Sequence, residues 1–219
     1  MSMMWMVMPG QTRMMSALVF VGMWLAMMVA MMLPSALPVL LLYRRAAAFC
    51  GELRLDVLIL ALATGYFLVW TLFGVVAYVA GAAISRAAMS WLALSKIVPF
   101  AVGIALMLAG IYQLTPWKSA CLKHCRDPLL LVAHHLHRDW RGALRLGIHH
   151  GLLCAACCWG LMLIQLVLGV MDLTVMAGVA LIIALEKMVA KGEVVARLAG
   201  YAAVLAGLGL AGISLLGRN

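Results

Sequence analysis

The run His149–Cys158 holds two imidazoles and three thiols within ten residues. At about 100° per residue, His150, Cys154, Cys157 and Cys158 fall on one helical face, inside a sector of roughly 100°. Thiolate sulfur and imidazole nitrogen are ligands for Cu(I) and Zn(II). Cys154-Ala-Ala-Cys157 is also the C-x-x-C spacing of a dithiol redox pair. A single buried cysteine is explained as a small hydrophobe. Three of them beside a histidine, in a stretch without formal charge from Leu146 to Met171, need another reason. Polar and ionisable groups in hydrocarbon usually serve a function.

Further soft donors lie near the start. Eighteen residues are methionine, and twelve of these fall between Met1 and Met32. Met23, Met27 and Met31 form one i, i+4 row, with Met28 and Met32 in the adjoining row beside Trp24. A thioether is a neutral ligand and can hold Cu(I) in an apolar medium without burying a charge of its own. The competing explanation is that methionine is a flexible core filler. Packing explains less of Met1, Met3, Met4, Met6 and Met8, which precede the apolar stretch.

Two more groups qualify. Glu186 ends an apolar segment, and a carboxylate there requires a partner, a proton or a metal; the alternative is a Glu186-Lys187 pair that snorkels to an interface. If the preceding turn centres near Met171, Glu186 lies level with Cys154–Cys158. Cys121, His124 and Cys125 form a second thiol–imidazole group in a basic loop, either a relay site or two free thiols. His134, His135 and His137 make a weaker cluster, since a surface helix carries histidine without special need.

The elements that position these residues are membrane helices. The 219-residue chain is 67% hydrophobic with a mean hydropathy of +1.13. That exceeds the roughly 45–50% apolar content of soluble domains. Apolar segments predict an all-α bundle of six transmembrane helices in a single integral membrane domain, over about 14–43, 57–85, 97–117, 145–170, 173–190 and 195–217. The fourth and fifth helices form a tight hairpin through Gly169–Asp172, with Asp172 as an N-cap. The stretch Leu173–Leu185 is short, about 20 Å at 1.5 Å per residue, so the fifth helix crosses only with Glu186 and Lys187 inside the membrane. Asp127-Pro128 reads as a helix start for a basic amphipathic segment over about 127–141 on the inner leaflet. The first apolar stretch is too long for a cleavable signal and contains Pro34 and Pro38, which would kink the helix.

The net charge of +9 need not mean nucleic acid. Twelve of the sixteen Lys and Arg fall in the loops after helices one, three and five. The positive-inside rule then places those loops in the cytoplasm and both termini outside. There Cys50, Cys121 and Cys125 stay reduced rather than forming a disulfide framework. No phosphate-binding loop, dinucleotide glycine pattern or Ser-His-Asp order is present, so neither a nucleotide nor a nucleic acid is an expected partner. Gly74, Gly81, Gly103 and Gly110 suit close helix packing.

At these residues the chain resembles a bacterial domain-of-unknown-function family of predicted metal-binding integral membrane proteins. The resemblance rests on Met23–Pro34, on Tyr112-Gln-Leu-Thr-Pro-Trp-Lys118 with Cys121 and Cys125-Arg-Asp-Pro128, and on Gly147, His150-Gly151, Cys154 and Cys157-Cys158-Trp159. Gly169-Val-Met171 and Glu186-Lys187 complete it. The motifs run in order through nearly the whole chain; Asp172 and Val175 depart from them, standing where the pattern has Asn and Trp. The resemblance implies a multi-pass protein of the bacterial inner membrane that binds metal and has a small soluble metal-binding domain as a partner.

Together these features predict a Cu(I)-binding membrane protein, with zinc the alternative metal, in copper uptake, transfer or delivery to a cuproenzyme. The expected ligands are Met27, Met28, Met31, Met32, His150, Cys154, Cys157, Cys158, Glu186, Cys121, His124 and Cys125. A membrane thiol oxidoreductase using Cys154 and Cys157 is the rival, and it leaves the methionines without a role. A membrane anchor for a soluble metalloprotein is the third reading.

Overall fold

The computed structural model describes residues 12–90, 92–135, 139–170 and 172–216. Among these residues every regular element is an α-helix: α1 Arg13–Phe49, α2 Leu55–Ser90, α3 Leu92–Leu114, α4 Pro116–Arg126, α5 Pro128–His135, α6 Trp140–Leu168, α7 Leu173–Met188 and α8 Gly192–Leu216. The sequence accounts for several boundaries. Thr12 caps α1 by accepting from the Met15 amide, and Thr115 caps α4 in front of Pro116 at the first turn. Asp172 caps α7, accepting from the amides of Thr174 and Val175. Gly51 at φ 78° and Gly169 at φ 155° supply the turns after α1 and α6, in a region that side chains disfavour.

α6 lies at the centre and packs against α2, α3, α4, α5 and α7. Its closest interface, with α2, is made by missing side chains. A Cβ on Gly147 would run into the Leu62 carbonyl, and one on Gly65 into the Leu144 carbonyl. The α3–α8 interface works the same way, with Gly103 against Gly207 and Gly110 against Gly200. Small residues let helix backbones approach where no water is available to drive association. Trp24 of α1 lies over Gly74 of α2 and donates its indole N–H to the Trp70 carbonyl at 2.9 Å. The outer faces are apolar, with exposed leucines such as Leu18, Leu60, Leu198 and Leu205.

Four helices, α1, α2, α6 and α8, are long and apolar enough to cross a membrane, and α3 with α4 qualifies together as a pair bent by 63°. Of the expected six spans, four pass alone and a fifth passes as the bent pair, by length and composition among the described residues. α7 falls short at 16 residues, about 24 Å of rise at 1.5 Å per residue against a hydrocarbon core near 30 Å.

Other expectations also change. The expected third helix ends at Leu114, because Thr115-Pro116 stops α3 and starts a new helix in another direction. Of the segment expected over about 127–141, the described residues include α5, Pro128–His135, and the start of α6 at Trp140, while residues 136–138 lie outside the description. In α5, Leu131 and Val132 are buried against the core rather than spread on a surface. Asp127 closes α4 as its C-cap and also immediately precedes Pro128, where α5 starts as expected, its carbonyl accepting from the Leu131 amide at 3.4 Å. α1 stays helical through Pro34 and Pro38, although each proline removes one amide donor from the helical ladder.

Candidate metal centre

The buried face of α6 carries His150, Cys154, Cys157 and Cys158 into the core, as the 3.6-residue period requires. All six cysteines are free thiols. Cys157 Sγ lies 3.5 Å from Cys158 Sγ and donates to the Cys154 carbonyl at 3.2 Å. Cys154 Sγ sits between two polar groups: Lys187 Nζ of α7 at 2.8 Å and the Tyr66 hydroxyl of α2 at 3.0 Å. Ser35, between the two prolines of α1, closes this ring with contacts to Lys187 at 3.3 Å and Tyr66 at 3.5 Å.

A fourth thiol arrives from α4. Cys125 is buried, and its thiol lies close enough to Cys154 and Cys157 to interact with both. The expected Cys121–His124–Cys125 group is therefore divided. Cys121 is half-buried, while His124 is exposed and its Nδ1 contacts the Ala120 carbonyl. An i, i+4 thiol pair on an 11-residue helix can face the same way, yet only Cys125 reaches the α6 thiols.

His150 is 1% exposed, stacks on Tyr66 with ring centroids 5.2 Å apart, and has no hydrogen-bond partner at either ring nitrogen among the described residues. Such a nitrogen forfeits about 1–3 kcal/mol relative to a paired one. A buried imidazole left open beside thiols suits a soft cation, which would take the lone pair of one nitrogen. Among the described residues no three His, Cys, Asp or Glu side chains already converge as a metal cage. Cys157 and Cys158 are in mutual contact and Cys154 is held by Tyr66 and Lys187, so capture of a cation requires thiol hydrogens to leave.

Met27, Met28, Met31 and Met32 are all buried, whereas Met23 is exposed. Gln165 Nε2 of α6 donates to Met27 Sδ at 3.1 Å. Ser35 reaches the Cys154 level through Tyr66 and Lys187, so Met31 and Met32 lie between two points where α1 is tied to α6. Met162 is buried in the same core. Met1, Met3, Met4, Met6, Met8, Met171 and His137 lie outside the described residues, as do the side chains of His134 and His135.

Glu186 is buried with both carboxylate oxygens engaged. Oε2 pairs with Lys118 Nζ at 2.8 Å, and Oε1 accepts from Gln113 Nε2 at 3.1 Å. Lys118 Nζ also donates to the Cys157 carbonyl at 2.5 Å. The carboxylate is thus compensated by a lysine, and it is Lys187 that faces the thiols. Sequence reasoning missed Cys125 as a partner of the α6 thiols, and it missed Lys118, Lys187 and Tyr66. The available signal was polarity. Tyr66, Gln113 and Gln165 interrupt apolar helices, and such positions must find partners inside.

A family model described as PpoB2, copper chaperone, matches residues 21–210. No curated protein and no solved structure matches the chain.

Proposed function

Because the chain belongs to the PpoB2 copper chaperone family, we propose that it is an integral membrane protein that binds Cu(I) within its helical bundle and delivers it to a cuproenzyme or a small soluble copper-binding domain. His150, Cys154, Cys157 and Cys158 on α6, with Cys125 on α4, are the principal donors. The reading is carried by His150: a buried imidazole with both nitrogens unpartnered among the described residues, one helical turn from Cys154 on the buried face of α6. Thiolate and imidazole are soft and borderline ligands, the set that favours Cu(I) over hard cations. Met27, Met28, Met31 and Met32 supply a neutral thioether path toward them. Lys187 places a positive charge beside Cys154, which offsets the charge of a thiolate in an apolar interior.

In this reading the chain is one membrane domain of the bacterial inner membrane, with both termini on the outer side. α7 counts as a short fifth span and the bent α3–α4 pair as the third. Loop charge supports this orientation. Copper enters from the methionine-rich outer end and leaves toward Cys121 and His124 on the inner side.

The test is copper content. Protein purified anaerobically in detergent is expected to carry copper or to take up Cu(I), with zinc a poor substitute. Changing Cys154, Cys157 and Cys158 to Ser is expected to abolish uptake. Wild-type protein that binds no Cu(I) would overturn the reading. A trapped mixed disulfide through Cys154 or Cys157 would transfer it to thiol oxidoreduction.

A further inference from the structure

α4 supplies the one thiol of the cluster that does not sit on α6, and it leaves α3 at a bend of 63°. Its position is held at both ends. Near its start, Lys118 is fully buried and grips two elements at once, the Cys157 carbonyl of α6 and the Glu186 carboxylate of α7. Gln113, at the end of α3, holds the second carboxylate oxygen. At its other end, Arg126 Nη2 donates to the carbonyls of Val189 at 2.6 Å and Ala190 at 3.3 Å, just past α7. Gly192 makes room there, since a Cβ would strike the Glu186 carbonyl.

We propose that Lys118 and Glu186 form a clasp that holds α4 folded against α6 and α7, and that this clasp decides whether Cys125 stands with Cys154 and Cys157 or leaves them. The inference rests on the copper reading above and adds a positioning role to two residues that touch no cargo. A buried ion pair with good hydrogen bonds contributes little net stability compared with an apolar pair, but it rewards one geometry. Stability alone would be served by leucine and methionine at these positions; a defined position for Cys125 is what the charges add. α4 also carries Cys121 half-buried and His124 exposed. One short helix thus bears a donor inside the cluster and further donors toward the surface, and opening the clasp would carry Cys125 outward with the cargo.

Labelling of individual thiols in the full-length protein in detergent tests the clasp. Each cysteine's reaction rate with a maleimide is read by mass spectrometry. The double variant Lys118→Met/Glu186→Leu removes both charges together and so leaves no unpaired ion. It is expected to raise Cys125 labelling on the order of tenfold, because α4 is no longer directed to a single position against α6, with Cys154, Cys157 and Cys158 unchanged. The number of sulfurs bound to Cu(I), read by X-ray absorption, should fall. Unchanged Cys125 labelling in a folded double variant overturns the proposal, and so does a parallel rise at all four thiols, which reports general loosening. Should the double variant not fold, Gln113→Leu weakens the clasp while keeping both charges, and a smaller rise confined to Cys125 is then expected. No change there overturns the proposal. The labelling contrast needs no copper, so a wild-type protein that binds no Cu(I) would refute the copper reading while the clasp stands or falls on its own.

Discussion

His150→Phe separates a ligand from a packing histidine, because the two roles predict opposite signs. The imidazole is 1% exposed and both nitrogens lack partners among the described residues. An unpartnered buried polar group costs about 1–3 kcal/mol. Phenylalanine removes that cost and can keep the stacked contact with Tyr66, now at 5.2 Å between centroids. Its larger ring should cost under about 1.5 kcal/mol, as for other near-isosteric core swaps. The copper-free variant is therefore expected to be as stable as wild type or more stable by about 1 kcal/mol. Cu(I) affinity should move the other way. Loss of a supporting residue alone typically costs 10–100-fold in metal affinity, so loss of a direct nitrogen donor should cost at least about tenfold. Stability is read from unfolding in a denaturing detergent, and affinity from competition with a chromogenic Cu(I) chelator. A copper-free variant destabilised by more than about 2 kcal/mol, with wild-type copper affinity, would show that His150 serves packing and would remove the main support for the copper reading.

Other perturbations probe the remaining elements. Gly147→Ala drives a Cβ into the Leu62 backbone; it should separate α2 from α6, lower stability by about 1–3 kcal/mol and weaken the Tyr66–Cys154 contact, seen as faster labelling of Cys154. Changing Met27, Met28, Met31 and Met32 together to Leu keeps volume and apolarity, so it should lower copper stoichiometry or affinity while the α6 thiols still react with a probe; unchanged copper binding would assign the stripe to packing. A periplasm-only reporter should be active when fused at Asn219 and silent at Cys125, and the reverse pattern would invert the direction of delivery.

Much of the candidate site was legible because it is local. Helix geometry alone places residues 150, 154, 157 and 158 on one face, whatever surrounds them, and α6 buries that face. The same period makes the methionine rows of α1, and α1 buries four of the five methionines in them while leaving Met23 outside. The α3–α4 break was present as Thr115-Pro116, a cap followed by a residue suited to a first helical turn. It was masked by apolar residues that continue to Trp117, which is why hydropathy alone ran the third helix too far.

The sequence by itself determined that the chain is helical, apolar enough for a membrane, and equipped with soft donors on matching faces. These properties depend on residue type and on spacing within one helix. The tertiary structure decided which donors meet. Cys125 rather than Cys121 joins the α6 thiols, Lys187 rather than Glu186 faces Cys154, and Glu186 turns to Lys118. Cys121 and Cys125 lie one turn apart on nearly the same face, so the axial position of α4 selects Cys125, whereas Glu186 and Lys187 differ by about 100° in direction, so the rotation of α7 selects Lys187. That rotation is set by packing summed over whole interfaces, such as the glycine contacts of α6 with α2 and of α3 with α8. It is also set by the need to pair every buried charge, and both are properties of the assembled bundle rather than of any one segment.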